Sequence, residues 1–264
     1  MAQDCRRNDG NAIAPDHRLT GLVGQSLDVI EAALNDPELP PRDRAEMALK
    51  VLELAGHPSS LRSSGTSEIL YPNVVQIDNF LSPEEQEETL EIAFANRDQF
   101  LPSGVVKQEK GVRKSSVLLM KNFEKFYQKF RFKILKFRPD ILEKLDLPPF
   151  LVSGLEMQMT AHNDGEYYRI HQDVDGDKMA NRVLSYVYYF YREPKAFYGG
   201  ELRLYETHID GEKAGIGDRL KTVEPRHNSI VFFDSRFKHE VLPVYCPSRQ
   251  FEDSRFTING WIHR

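Results

Sequence analysis

His171-Gln172-Asp173 and, in the last third of the chain, His239 are the residues whose types and spacing could do chemistry. Two imidazoles and one carboxylate on one face of a metal leave three octahedral positions open, the arrangement in which non-haem Fe(II) handles dioxygen. The short spacing has a mechanical reason. In an extended segment residues i and i+2 point the same way, so His171 and Asp173 can chelate one ion while Gln172 turns away. The third ligand must come from a distant strand lying alongside, and His239 follows the strand-like stretch 229–233 and a short turn. A His-x-Asp tripeptide alone is a weak signal, and His162-Asn163-Asp164 fits it too. That copy precedes Gly165 and reads as a polar turn, whereas His171 follows Tyr167-Tyr168-Arg169-Ile170, which has strand character. His171 is therefore the expected ligand. His17 and His57 flank helices, His208 and His227 fall in polar loops and His263 is near the C-terminus, so all five read as surface residues.

Arg249 and Arg255 both follow His239. A keto acid that chelates the metal at one end needs a cation for its distal carboxylate, and arginine offers a two-pronged fit. Arg255 opens the strand-like Arg-Phe-Thr-Ile-Asn-Gly-Trp, so a sheet would fix its direction, while Arg249 lies in a polar loop. Arg255 is the expected clamp, with Arg249 as the alternative. Two rival readings use the same ligands. A zinc hydrolase also takes two histidines and a carboxylate, but no general base with helical His-Glu spacing accompanies them here. A jelly-roll interaction module could keep a metal for structure alone. Oxidative turnover of a keto acid separates these from an oxygenase.

The elements that must position these residues divide into two textures. Residues 19–56 carry apolar residues at three- and four-residue steps, broken by Pro37, Pro40 and Pro41, and read as a helical hairpin. A piece of about 40 residues seldom folds unaided, so its stripes must cover the main domain, a partner or a second copy, the last giving a homodimer through these helices. Residues 57–67 are a polar linker, which sets the domains at 1–60 and 68–264. A strand is expected over 74–80. Ser82-Pro83-Glu84-Glu85 then forms a capping box, opening a helix to about residue 96. A second helix is expected over 123–145, with Phe126, Phe130, Ile134, Phe137 and Ile141 on its core face. The polar, glycine-containing stretch 105–116 is a candidate lid. After residue 150 come short strands around 155–159, 183–191, 201–205, 229–233, 240–245 and 255–262. The expected class is α+β, mostly β: a double-stranded β-helix, or jelly roll, braced by helices and preceded by the hairpin.

Composition narrows the partners. Lys+Arg 35 against Asp+Glu 40 gives a net charge of −5 over 264 residues, which disfavours a dedicated nucleic-acid binder. No run of about 18 apolar residues exists to cross a membrane. Residues 1–16 are polar and lack a signal-peptide core, and Cys5 and Cys246 make no disulfide framework, so the cytoplasm is the expected compartment.

Taken in order, His171-x-Asp173, Val187-Tyr188-Tyr189-Phe190, Gly199-Gly200-Glu201-Leu202, Ser229-Ile230-Val231-Phe232-Phe233, His239-Glu240-Val241 and Arg255-Phe256-Thr257-Ile258-x-x-Trp261 resemble the 2-oxoglutarate- and Fe(II)-dependent dioxygenases of the prolyl 4-hydroxylase type. The resemblance spans residues 74–264 and is densest from residue 155. It implies the double-stranded β-helix fold and Fe(II) held by His171, Asp173 and His239. It implies 2-oxoglutarate on Arg255, with Tyr189 donating to the same carboxylate and Trp261 near the iron. O2 is the second cosubstrate and ascorbate an accessory reductant. The implied reaction oxidatively decarboxylates 2-oxoglutarate to succinate and CO2 and hydroxylates an unactivated C–H bond. Related halogenases need a small residue where Asp173 stands, so the carboxylate points to hydroxylation. The implied substrate is a prolyl or other amino-acid residue of a peptide or protein, with a free amino acid or a natural product as the alternative. In many members the clamp lies closer to the distal histidine than Arg255 does, which keeps Arg249 open.

Overall fold

The computed structural model describes residues 67–103, 111–174, 179–211 and 213–264, with Pro40 alone ahead of them. The hairpin expected over 19–56 and the boundary at residue 60 lie outside the described residues, as does the first half of the 105–116 loop.

The strands are β1 (Glu68–Leu70), β2 (Val75–Asp78), β3 (Leu101–Pro102), β4 (Arg113–Lys114), β5 (Ser116–Leu119), β6 (Gly154–His162), β7 (Tyr167–His171), β8 (Arg182–Phe190), β9 (Tyr198–Gly199), β10 (Leu202–Asp210), β11 (Lys213–Val223), β12 (Ser229–Asp234), β13 (His239–Val241), β14 (Val244–Tyr245) and β15 (Arg255–His263). A larger antiparallel sheet runs β2-β12-β8-β15-β6-β5-β3, and a smaller one β1-β10-β13-β7-β4 with β11 added to β10. Two helices, α1 (Pro83–Ala95) and α2 (Glu124–Lys144), cover one face of the larger sheet.

Strand periodicity assigns the faces. In the larger sheet Met157 and Met159, Tyr186 and Tyr188, and Phe256 and Ile258 pack with Phe126, Phe130, Ile134 and Ile141 of α2. Their alternating neighbours therefore point the other way, toward the smaller sheet. These include Glu156, Gln158, Thr160 and His162 on β6 and Arg255, Thr257, Asn259 and Trp261 on β15. A second cluster, from Tyr189, Val231 and Phe233 to Leu202, Leu204 and Phe237, joins the two sheets. The face that meets the helices is oily, whereas the inner face is polar at its chamber end, so the sheet has both a core side and a chemical side.

Local signals explain the helix ends. The Ser82 hydroxyl accepts from the Glu85 amide at 3.3 Å, and Glu85 reaches back to the Ser82 amide at 2.8 Å, the reciprocal box expected at this start. α2 continues through Pro139, which sits inside it. Three expectations are corrected. Residues 240–245 are not one strand. Pro243, which has no N–H to donate, separates β13 in the smaller sheet from β14, which pairs with β9. β11 was not expected, and β10 runs on to Asp210 to pair with it. The expected turn at His162 is the end of β6, where His162 is buried and is the cross-strand partner of Arg255. No helix among the described residues is long and apolar enough to cross a membrane.

Candidate metal centre

His171 ends β7 and His239 opens β13, and the two are direct partners across the ladder. The chain turns after β7, bringing Asp173 back beneath both rings. His171 Nε2 lies 3.7 Å from Asp173 Oδ1, and His239 Nε2 lies 3.5 Å from Asp173 Oδ2. One ligand atom from each of the three falls within 4.8 Å of the others. Both imidazoles are aimed by the same device. His171 Nδ1 meets the Arg169 carbonyl at 2.8 Å, and His239 Nδ1 meets the Phe237 carbonyl at 2.9 Å. A carbonyl only accepts, so each Nδ1 carries the proton and each Nε2 offers a lone pair to the shared space. The Tyr168 ring stacks on His171 at a centroid distance of 3.5 Å and fixes its plane.

Asp173 is held from several sides. Its amide donates to the Ser235 carbonyl at 3.3 Å, and the Ser185 hydroxyl donates to Oδ2 at 2.6 Å. Arg182 donates to the Asp173 carbonyl at 3.2 Å and lies 3.7 Å over the Trp261 ring. Arg182 is itself anchored by Glu156 at 2.5 Å. Burial, reinforced by the neighbouring His239, pushes the His171 imidazole down to about 3. Burial alone would raise Asp173, but the two imidazoles and the hydrogen bonds from Ser185 and Trp261 outweigh it and hold the carboxyl below its ordinary value. A neutral His171 imidazole and an ionised Asp173 carboxylate are protonation states in which a divalent cation binds. The donor set therefore fits Fe(II).

The triad opens onto a chamber of about 260 Å³. Arg255 lines its far wall and is 1% exposed. Its guanidinium lies 5.0 Å from the Tyr189 ring centroid, and its Nη1 donates to His162 Nδ1 at 3.4 Å. That leaves the His162 proton on Nε2. Burial, then the cations of Arg255 and Arg113, push His162 well below its ordinary value, so it stays neutral. Burial pushes the Tyr189 hydroxyl up to about 12, with the Arg255 cation pulling against the rise. Arg255 Nε, the Tyr189 hydroxyl and His162 Nε2 are all buried and have no hydrogen-bond partner. Leaving such groups unmet costs about 1–3 kcal/mol each, so the cluster is built for something that brings acceptors. A carboxylate of 2-oxoglutarate fits.

Trp261 lines the same chamber. Arg249 does not. Its side chain is 78% exposed and pairs with Asp164 at 3.0 Å. Sequence reasoning missed Ser185, Arg182 and Arg113, since a lone serine or arginine in a strand carries no local signal. Gly200 had a signal, the Gly199-Gly200 pair, but its purpose needs the structure. Gly200 has φ +72°, and an added Cβ would lie 2.5 Å from Arg255 Cδ. Gly200→Ala should therefore lower stability by about 1–3 kcal/mol through overpacking and backbone strain. Denaturant unfolding of the purified variant measures it.

The profile of the 2OG-Fe(II) oxygenase superfamily matches residues 157–263. An uncharacterised PKHD-type hydroxylase of Synechocystis sp. is 35% identical over 98% of this chain and 97% of its own length. A prolyl 4-hydroxylase of Pseudomonas putida superposes with a TM-score of 0.53 at 21% identity, covering 72% of this chain and 92% of that one. A prolyl hydroxylase of Trichoplax adhaerens, solved with a peptide fragment of the hypoxia inducible factor oxygen degradation domain, gives 0.51 at 16% identity, over 86% and 94%. At these identities the two structures share the fold, a jelly roll built mostly of β-strands. The end-to-end relative, together with a triad whose donor atoms suit iron, identifies the chain as a member of the 2-oxoglutarate- and Fe(II)-dependent dioxygenases of the prolyl 4-hydroxylase type.

Proposed function

We propose that His171, Asp173 and His239 hold Fe(II), that Arg255 and Tyr189 take the distal carboxylate of 2-oxoglutarate, and that the enzyme hydroxylates an unactivated C–H bond on a prolyl or other amino-acid residue of a peptide or protein. The observation that carries the reading is Arg255, which lines the same chamber as the triad while its Nε and the hydroxyl of the neighbouring Tyr189 have no hydrogen-bond partner. Family membership speaks against the zinc-hydrolase and structural-metal alternatives.

When bound, iron couples the oxidation of 2-oxoglutarate by O2, which yields succinate and CO2, to oxygen insertion into the substrate. The protein supplies orientation and a dry site. The two carbonyl-tethered imidazoles and the Ser185-bound carboxylate would hold the ion and leave it open to the reactants in the chamber. Val187, Leu202, Phe233 and Val241 line the chamber with hydrocarbon and exclude water. Arg255 fixes the cosubstrate by a two-pronged contact that lysine could not match. Arg182 bonds the Asp173 carbonyl and stacks on Trp261, which itself hydrogen-bonds the Asp173 carboxylate.

Purified enzyme, Fe(II), 2-oxoglutarate and ascorbate, incubated with candidate peptides, amino acids and host metabolites, tests this. Succinate release with a +16 Da product on a peptide is expected. A +16 Da product confined to free amino acids or other metabolites would move the substrate to the alternative class. Absence of succinate under all conditions would remove the oxygenase reading.

A further inference from the structure

Arg113 is a charge in the chamber that the proposed reaction leaves unused. It lies on β4, partly buried, on the chamber wall. Its Nε donates to Ser115 Oγ at 2.8 Å and its Nη2 to Thr160 Oγ1 at 3.2 Å. Its guanidinium sits 4.9 Å from the Tyr168 ring centroid, and Tyr168 stacks on His171. Thr160 in turn donates to Asn259 Oδ1 at 2.8 Å, which orients that amide and leaves its N–H groups to the chamber. The guanidinium is thus held in position by neutral groups.

Two other arginines withdrawn from solvent here meet an acid. Arg182 pairs with Glu156, and Arg236 with Asp234 and Glu68. Arg113 has no ion pair among the described residues. Desolvation pulls its pKa down, against which Tyr168 and then Asp173, itself bonded to Ser185, pull only in part. A cation taken out of water without a partner costs several kcal/mol unless a ligand brings the opposite charge. Arg255 shows the same deficit, and the proposed reaction fills it with the distal carboxylate of 2-oxoglutarate. The other end of that cosubstrate chelates the metal, so a further anion has to come from elsewhere.

We propose that Arg113, assisted by the Asn259 amide, binds a carboxylate of the primary substrate, and that the enzyme prefers substrates bearing one near the oxidised carbon. The inference rests on the amino-acid hydroxylation proposed above and narrows it. The carboxylate belongs to a free amino acid, to the C-terminal residue of a peptide, or to an acidic side chain beside the target residue.

Matched probes test it: L-proline against L-prolinamide, Ala-Pro against its C-terminal amide, and Asp-Pro-amide against Asn-Pro-amide. Each is titrated calorimetrically into enzyme carrying Fe(II) and 2-oxoglutarate without O2. At least one acid should bind about tenfold or more tightly than its neutral twin, as expected for a charge-paired contact. The pair that shows the preference names the source of the carboxylate. Arg113→Gln should bring that ratio close to one, and Arg113→Lys should keep part of it, since the charge remains while the fork is lost. Thermal midpoints separate this role from a structural one. Losing an uncompensated cation should leave the midpoint level or raised in Arg113→Gln, whereas a structural arginine would lower it.

Three results overturn the proposal: no acid preferred in any pair, including no binding at all; a preference that survives Arg113→Gln; or a loss of 2-oxoglutarate affinity in Arg113→Gln as large as in Arg255→Gln, which would assign Arg113 to the cosubstrate. Succinate release by the wild-type enzyme without any probe is read in parallel. If it is absent the oxygenase chemistry fails, and if it is present without an acid preference only the Arg113 proposal fails.

Discussion

An alanine at position 239 is expected to abolish succinate formation and metal retention together. His239 is one of the three proposed ligands, its ring is already turned toward the shared space by the Phe237 carbonyl, and the described residues offer no other histidine in the group that could hold the ion besides His171. Loss of an outer partner alone typically costs about 10- to 100-fold in metal affinity, so removal of a ligand should exceed that. Equilibrium dialysis against Fe(II) and a succinate assay measure both effects. His162→Ala should keep the ion, because His162 stands on the Arg255 side of the chamber and its Nδ1 is engaged by that guanidinium. Retention of metal by His171→Ala with its loss in His162→Ala would show that the wrong tripeptide had been assigned.

The second large effect is at the cosubstrate end. Arg255→Ala should weaken 2-oxoglutarate binding by roughly 2–5 kcal/mol, or on the order of 30- to several-thousand-fold, the usual loss when one partner of a buried charged pair is removed. Arg249→Ala should change it little, since Arg249 is exposed and answers Asp164 instead. Titration of 2-oxoglutarate into the two variants decides the matter. Unchanged affinity in Arg255→Ala with loss in Arg249→Ala would transfer the role.

The centre was legible because its signals are local. His-x-Asp sets two donors two residues apart, but the segment is not extended as expected: the strand ends at His171, and a turn brings Asp173 back toward both imidazoles. α2 was legible from its apolar stripe and α1 from a capping box that side-chain chemistry alone dictates. β11 was not, since Lys213–Val223 is exposed along most of its length and has no alternation to read. The end of β6 was misread because Asn163, Asp164 and Gly165 do form a turn, and only the pairing of His162 with Arg255 shows that the strand reaches the residue before it. Ser185, Arg182 and Arg113 reach the centre through contacts between distant strands, which no short-range pattern encodes.

The chamber has one consequence for the durability of the molecule. Its imidazoles stand on the smaller sheet, while Arg255 and Tyr189 stand on the larger. In the proposed assignment an ion with a dicarboxylate spanning them would tie the two layers together, so that occupancy would become resistance to opening. By mass action each tenfold rise in ligand above its dissociation constant adds about 1.4 kcal/mol against unfolding. Proteases act on the opened form. With the proposed ligands at these positions, the purified enzyme should resist limited proteolysis better with Fe(II) and 2-oxoglutarate than without them, which digestion of the two samples side by side measures.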